Sequence, residues 1–527
     1  KRQIDFFRRL ETESGDKLPT WNGELYLEFH RGTYTTQARN KRANRKSEFL
    51  LHDAEFLATV ASVLNMDYIY PQETFNQAWE IVCLNQFHDI IPGSSIHEVY
   101  VESQAQYRNM QEIVVAARDT ALAAIAPYMG GDLLIVNPAG VQRNDATFCA
   151  LPAGTHVYDQ YNAAMMEQPA DGGAWLVPFN LAPYSITALR VGTGDEPYAL
   201  NIIQAAPTFL DNGAVRIELN EAGDITRVYD YQSGREVLPA GALANQWQAF
   251  EDRPLNWDAW DINIFYDDKM WTPDPASSVR VVEAGGLRAT LEVRRRILNS
   301  DYIQRITMTK DSPRIDFETW IDWRERHILL KAAFPVDLLS PVASYEIQFG
   351  QVQRPTHRNT SWDWARFETC AQKWIDLSET NYGVALLNDC KYGHDVRDNV
   401  MRITLLRSPT NPDPTADAGE HHFTYSLFPH SLDDHIEQGY RLNDPTFAVG
   451  GSGGAVRVPE FSLVTSIALP IIIETIKRAE DGEGFIVRLY EPARRRGVAS
   501  LRFGIPLRAA YSTNLHEENQ APLDVMQ

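Results

Sequence analysis

His88 and Asp89 stand side by side in Asn85-Gln86-Phe87-His88-Asp89-Ile90-Ile91-Pro92-Gly93, a polar pair inside an apolar sleeve. An imidazole nitrogen placed there can bind a metal ion while the neighbouring carboxylate accepts a hydrogen bond from a ligand hydroxyl. The same pair can also cap helix ends and satisfy buried backbone groups, the commoner role for such a pair. The local sequence leaves both readings open.

Positioning of the pair falls to the flanking segments. Upstream, Phe75, Ala78, Trp79 and Val82 recur at helical spacing after Pro71, so one face of a helix points into a core. Downstream, Pro92-Gly93 breaks the backbone, and Ser95 with Glu98 has the form of a capping box opening a second helix. The pair is therefore expected in a tight helix-to-helix connection.

Asn85 to Gly93, together with Gly23-Glu24-Leu25-Tyr26-Leu27-Glu28-Phe29-His30-Arg31-Gly32-Thr33-Tyr34-Thr35, resembles the later part of the alpha-mannosidases of glycoside hydrolase family 38. The likeness is to the branch holding cytosolic, vacuolar and many bacterial enzymes. Further matching segments are Phe250 to Ile262, Trp362 to Phe367, Asn388 to Gly393, Leu405 to Pro409, His421 to Tyr425 and Thr513 to Asn519. The resemblance implies zinc as cofactor with His88 as a ligand, and contact between Asp89 and bound mannose. It sets His30, Arg31 and Tyr34 near the outer sugar subsites, where the alternative is the polar row of an exposed strand. Asp389 and Tyr392 lie in a stretch with the makeup of a cleft loop or, equally, of a hairpin turn. Trp257, Trp260, Trp362 and Trp364 are each either sugar-stacking platforms or core residues. His421-His422 lacks further ligands at zinc spacing and reads as structural.

Retaining glycoside hydrolysis needs two carboxyl groups about 5 to 5.5 Å apart. The resemblance places the nucleophile, the acid/base and a His-x-Asp zinc motif upstream of Lys1, on an alpha/beta domain that precedes the matched part. None of the 13 histidines begins a His-x-Asp. From Lys1 the chain enters helical periodicity at Ile4 without Met or an apolar leader, which suggests a start inside a longer protein. The expectation is the C-terminal portion of a zinc-dependent retaining exo-alpha-mannosidase acting on mannose-containing oligosaccharides, inactive alone. A non-catalytic carbohydrate-binding or assembly module is the alternative. A zinc peptidase is disfavoured, because His97-Glu98 is not followed by a second histidine at H-E-x-x-H spacing.

Composition agrees with a neutral substrate. The 527 residues carry 49 Lys and Arg against 70 Asp and Glu, a net charge of -21 that repels nucleic acid and anionic membranes. The 4 cysteines are scattered, without a C-x-x-C pair, which favours a reducing, cytoplasmic setting. The longest apolar runs, such as Ile467 to Ile473, are too short to span a membrane. Enzymes of this size are often symmetric assemblies, so a homo-oligomer is an open expectation.

The expected fold class is α+β multidomain: an antiparallel helical bundle, a small β domain and a large antiparallel β-sandwich. An amphipathic helix carrying Ile4, Phe7 and Leu10 is followed by a strand in which Leu25, Leu27 and Phe29 alternate with polar residues, and residues 1–39 would end an alpha/beta domain. The basic run Arg39 to Lys46 reads as a solvated helix face leading into a helix from Ser47 to about Leu64. Tyr107, Met110, Val114, Ala117, Ala121 and Ala124 form a bundle seam, closing a helical domain over 40–129. From Leu133 the pattern is β: a small domain over 130–195, then a sandwich over 196–527, where Leu287, Ala289, Leu291, Val293 and Ile315, Phe317, Thr319, Ile321, Trp323 alternate with polar neighbours. The glycine-rich 450–454 reads as a turn.

Overall fold

Helical and strand periodicities sort the chain into a helical layer and several antiparallel sheets. The computed structural model describes residues 2–26, 29–177, 180–194, 203–431, 434–469 and 471–526. Lys1, the residue before which the nucleophile and the acid/base are expected, therefore lies outside the described residues.

The first helix, α1 (Gln3–Ser14), has the expected amphipathic spacing but buries no residue, and Ile4, Phe7 and Leu10 are exposed. The strand expected over Leu25–Phe29 does not form in its described part. Leu27 and Glu28 lie outside the described residues, and Glu24–Tyr26 pairs with no strand among those described. Its polar groups are taken by the sandwich instead: Glu24 accepts from Arg354 Nε of the strand Gly350–Pro355 at 2.9 Å, and the Tyr26 hydroxyl donates to the Glu368 carbonyl at 2.5 Å.

The basic run is not a solvated face. Helix α2 runs Ala38–Leu64, and Lys41 and Arg45 are buried within it. Arg45 donates to the Tyr392 hydroxyl (3.0 Å) and Asn443 Oδ1 (2.8 Å), with its guanidinium 4.5 Å from the Tyr392 ring centroid. The cations are buried because other segments supply their acceptors: Tyr392, Asn443 and Gln372 for Arg45, and the carbonyls of Thr36 and Ile91 for Lys41. Asp417 caps the same helix from across the fold, its two carboxylate oxygens each 2.7 Å from the amides of Gln37 and Ala38. A carboxylate at a helix N-terminus satisfies orphan donors and complements the dipole.

Helix α3 (Gln72–Asn85) buries Phe75, Ala78 and Val82, and α4 (His97–Met129) buries Tyr107, Met110, Val114 and Ala121, as the periodicity requires. Gln106 of α4 accepts from Asn85 at the end of α3, and Trp79 donates to Glu55 of α2. The capping box does not form: Ile96 precedes the first helical residue, and no side chain caps it. The Ser95 hydroxyl is spent on the Asp89 carbonyl at 2.8 Å.

Leu133–Asn137 is buried on both faces, which explains its continuous apolar run. It pairs with Ser185–Gly192 on one side and Phe447–Gly450 on the other, and Glu460–Ser462 adds to the far edge. The small sheet is thus completed by strands distant in sequence. The glycine-rich 450–454 segment does not form a turn but runs beside Gly131–Asp132, where the amides of Gly451 and Gly453 donate to the carbonyls of Asp132 and Gly131 at 2.9 and 2.7 Å.

The large sandwich comprises a nine-stranded, a six-stranded and a five-stranded antiparallel sheet between Gln204 and His430. Residues of Ile315–Trp323 alternate buried and half-buried, with Phe317, Ile321 and Trp323 in a core shared with Leu330, Phe334, Ile403 and Leu405. The sandwich does not run to the end of the chain. Among the described residues, strands between Val464 and Leu523 pair only with each other, in two-stranded ladders. Ile473, Ile476, Phe485, Val487, Leu501 and Phe503 from these ladders cover the helical core, burial the large sheets do not offer.

Candidate functional site

The connection between α3 and α4 is fixed from three directions. Gly93 has φ +90°, and a Cβ there would meet the Thr36 carbonyl, so only glycine lets the connection lie against the segment preceding α2. The buried Lys41 ammonium donates to the Thr36 carbonyl at 2.6 Å and the Ile91 carbonyl at 2.7 Å, tying the same two pieces together. The Asp89 carbonyl accepts from the Ser94 amide (3.2 Å), the Ser95 hydroxyl (2.8 Å) and the Tyr100 hydroxyl (3.2 Å).

This scaffold presents His88 and Asp89 outward. The His88 side chain is 75% exposed and its ring lies 4.4 Å from that of Phe87. Ser94 donates 2.8 Å to Asp89 Oδ1, while Oδ2 stands 3.4 Å from His88 Nε2. One carboxylate oxygen is therefore oriented by the protein, and the other faces the imidazole and solvent. The arrangement can accept a hydroxyl hydrogen bond at Asp89 and offer a ring nitrogen at His88. Neither side chain caps a helix.

Of the other residues singled out from sequence, His30 and Tyr34 share the short helical turn that leads to Thr36 and hence to the His88 connection. His30 is exposed and Tyr34 half-buried, and burial raises the Tyr34 phenol well above its ordinary range. Arg31 is a correction. It is buried, donates twice to the Ala365 carbonyl (3.2 and 2.9 Å), pairs with Asp261 at 3.5 Å and lies over the Phe367 ring, so its guanidinium is committed to packing. Asp389 and Tyr392 are corrections of the same kind. Asp389 is buried, accepts from the Thr424 amide and pairs with Lys46 at 3.1 Å; burial opposes its ionisation, but Lys46 and these bonds hold its pKa below the ordinary value. Tyr392 accepts from Arg45. Both hold α2 on the sandwich rather than lining a cleft.

Trp257 (70% exposed), Trp362 (60%) and Trp364 (43%) are exposed, each with one ring neighbour, Trp260, Trp21 and Phe265 respectively. Trp362 lies 5.5 Å from Trp21, and the Trp260 carbonyl accepts from the Gly32 amide at 2.8 Å. His421 is buried and donates to the Asp417 carbonyl at 2.7 Å, while His422 stacks on Trp320 at 4.7 Å, a structural pair.

Two supporting groups were not legible from their types. Arg407, fully buried, pairs with Asp252 at 2.7 Å and donates to the Ala259 carbonyl (2.9 Å) and Thr36 Oγ1 (3.1 Å), forming the floor beneath Gly32 and Thr36. Lys41 was hidden in a charge run, and burial draws its pKa down to about 7 against the opposing pull of Asp417. A cavity of about 980 Å³ is walled by Arg39, Arg42, Arg108, Trp320 and His422 among others, and none of its walls comes from the His88 connection.

Among the described residues, no group of three or more His, Cys, Asp or Glu side chains placed to hold a metal ion includes His88. His88 is one ligand, too few to hold zinc by itself.

Three family models match the chain: the alpha mannosidase middle domain over residues 28–125, the glycosyl hydrolases family 38 C-terminal domain over 210–415, and the family 38 C-terminal beta sandwich domain over 470–527. Alpha-mannosidase 2C1 of Mus musculus is 38% identical over 524 residues, covering 97% of this chain and 49% of the mouse protein. Alpha-mannosidase G of Dictyostelium discoideum is 33% identical, covering 98% of this chain and 52% of its own length. The chain thus spans about half the length of these curated relatives. A crystal structure of an alpha-mannosidase from Enterococcus faecalis shares the fold, with a TM-score of 0.85 at 17% identity over 99% of this chain and 70% of that one.

Proposed function

The chain carries the middle, C-terminal and C-terminal β-sandwich domains of glycosyl hydrolase family 38, and on that premise we propose that it is part of a retaining exo-alpha-mannosidase that removes terminal mannose from oligosaccharides. The observation carrying this reading is the exposed His88-Asp89 pair on a connection locked by Gly93, Lys41 and the serine–tyrosine cluster around the Asp89 carbonyl.

In this reading Asp89 receives a mannose hydroxyl on the carboxylate oxygen that Ser94 leaves open, and His88 contributes one ligand to a zinc site. Among the described residues, no group of metal-binding side chains completes that site around His88. The nucleophile, the acid/base and the remaining ligands belong to polypeptide outside this sequence, so the chain alone does not hydrolyse. His30 and Tyr34 border the outer subsites, and the exposed rings of Trp257, Trp362 and Trp364 offer stacking faces. Four cysteines without a disulfide among them favour a cytoplasmic setting. No helix of the described residues is long and apolar enough to cross a membrane.

Incubation of this polypeptide with an aryl alpha-mannoside, with zinc and then with chelator, tests the division of labour. Folded protein without turnover is the expected result. Chelator-sensitive turnover would mean that a catalytic carboxyl pair lies within this sequence.

A further inference from the structure

Away from His88, three electron-rich atoms converge where α2 meets the small sheet and the end of the helix His435–Asn443. His52 Nδ1 lies 3.1 Å from Asp53 Oδ1 and 3.7 Å from Asp444 Oδ2, and all three atoms fall within 4.8 Å of one another. Asp444 is 2% exposed, and burial first, then the neighbouring Asp53 with which it shares a hydrogen bond, push its carboxyl well above the ordinary carboxylate range. Among the described residues, no Lys or Arg pairs with either carboxyl group, and the His52 ring faces both.

The tautomer of a neutral His52 ring follows from its other side. The buried Tyr184 hydroxyl has one proton and donates it to the Ile473 carbonyl at 2.7 Å, since a carbonyl can only accept. The contact of 3.0 Å between that hydroxyl and His52 Nε2 therefore requires the proton on Nε2. In the neutral ring, Nδ1 then presents a lone pair to two carboxylate oxygens. The Nδ1 lone pair and the two carboxyl groups can be joined either by shared protons or by a metal cation.

We propose that His52, Asp53 and Asp444 form a structural site for a divalent transition-metal ion of the zinc type, separate from the site at His88. Ligands about 2.0–2.2 Å from a tetrahedral zinc lie about 3.4 Å apart, and the observed 3.1 and 3.7 Å straddle that separation. The ring is held from behind by a hydrogen bond through its other nitrogen, as metal-bound imidazoles are. One imidazole and two carboxylates suit zinc and neutralise its charge, whereas calcium requires six or more oxygens. The His52 and Asp53 side chains are 15% and 13% exposed, enough for water to take the fourth position. The Asp376, His430 and His435 cluster suits a metal less well. Its His430–Asp376 contact of 2.8 Å is a direct hydrogen bond, and Ser378 holds the second carboxylate oxygen.

Bound there, the ion joins the helical layer, through His52 and Asp53, to Asp444, which follows the helix His435–Asn443. The inference does not depend on the mannosidase reading. Its test is metal content and melting temperature of the whole chain loaded with zinc chloride and dialysed, beside His88→Ala and Asp444→Asn. The wild type and His88→Ala should each retain about one zinc, Asp444→Asn should lose it, and chelator should lower the melting temperature of the first two only. If Asp444→Asn does not fold, cobalt(II) titration of His88→Ala reads the site directly, and tetrahedral ligand-field absorption is expected. Zinc-loaded wild type that retains no metal, or cobalt that gives no such absorption, would overturn the proposal and leave a proton shared among the three groups.

Discussion

Lys41 holds Ile91: its buried ammonium donates to that carbonyl at 2.7 Å, clamping the connection that carries His88 to the first turn of α2. Lys41→Met removes this bond and the one to Thr36, leaving two carbonyls without their donor, at a cost of about 1–3 kcal/mol. Mannoside turnover by the complete protein should fall in the variant. Burial also puts the folded pKa of Lys41 at about 7, below the unfolded value of about 10.4. Between those values the unfolded lysine binds a proton that the folded one has released, so this group makes the protein more stable as pH rises through that window. Denaturation midpoints from pH 6 to about 10 should show the rise in wild type and its absence in Lys41→Met.

Gly93→Ala places a Cβ against the Thr36 carbonyl at a φ of +90°. Strain of this kind costs about 1–3 kcal/mol. Denaturant unfolding should show that loss, and sugar binding at the displaced Asp89 should weaken with it. An unchanged midpoint would mean the connection has room to move.

Asp252→Ala leaves the fully buried Arg407 guanidinium without its anion. Removing one partner of a buried pair costs about 3–5 kcal/mol. Because Arg407 also supports Thr36 and Ala259, the variant should lose stability and the order of the 30–37 segment together, readable as faster amide exchange there.

His394 and His421 are buried and neutral, each with its pKa drawn down to about 3 by desolvation. Their ring N–H groups donate to the carbonyls of Tyr392 and Asp417 at 2.9 and 2.7 Å. An unfolded histidine protonates near 6.5, so from about there down to pH 3 the unfolded state binds a proton the folded state refuses. The stability each contributes is present above the unfolded value and is lost as pH falls through that range. Replacing either with Gln should make the acid limb of the denaturation midpoint shallower.

Elements held by local periodicity were legible in the sequence. The spacing of Phe75, Ala78 and Val82, the seam through Tyr107, Met110 and Val114, and the alternation over Ile315–Trp323 each name the face that is buried. Partners distant in sequence were not legible. Arg45 looks like a surface cation until Tyr392 and Asn443 arrive to accept its hydrogens, and Asp389 looks like a loop acid until Lys46 meets it. Leu133–Asn137 announces a doubly buried strand without naming Phe447–Gly450 as its neighbour. At the site, residue types and the family likeness singled out His88 and Asp89. The groups that aim them, Lys41, Gly93 and Tyr100, act through backbone carbonyls and a positive φ, features no composition or spacing displays.

The most direct measurement is aryl alpha-mannoside turnover by the complete protein that contains this chain, comparing wild type with His88→Ala and Asp89→Ala at matched melting temperature. Exposed side chains on a rigid connection can be truncated without unfolding it, so both variants should fold normally and lose turnover by about 100-fold or more, in line with the loss of a metal ligand or a transition-state contact. Wild-type turnover in either variant would show that the pair does not serve the reaction.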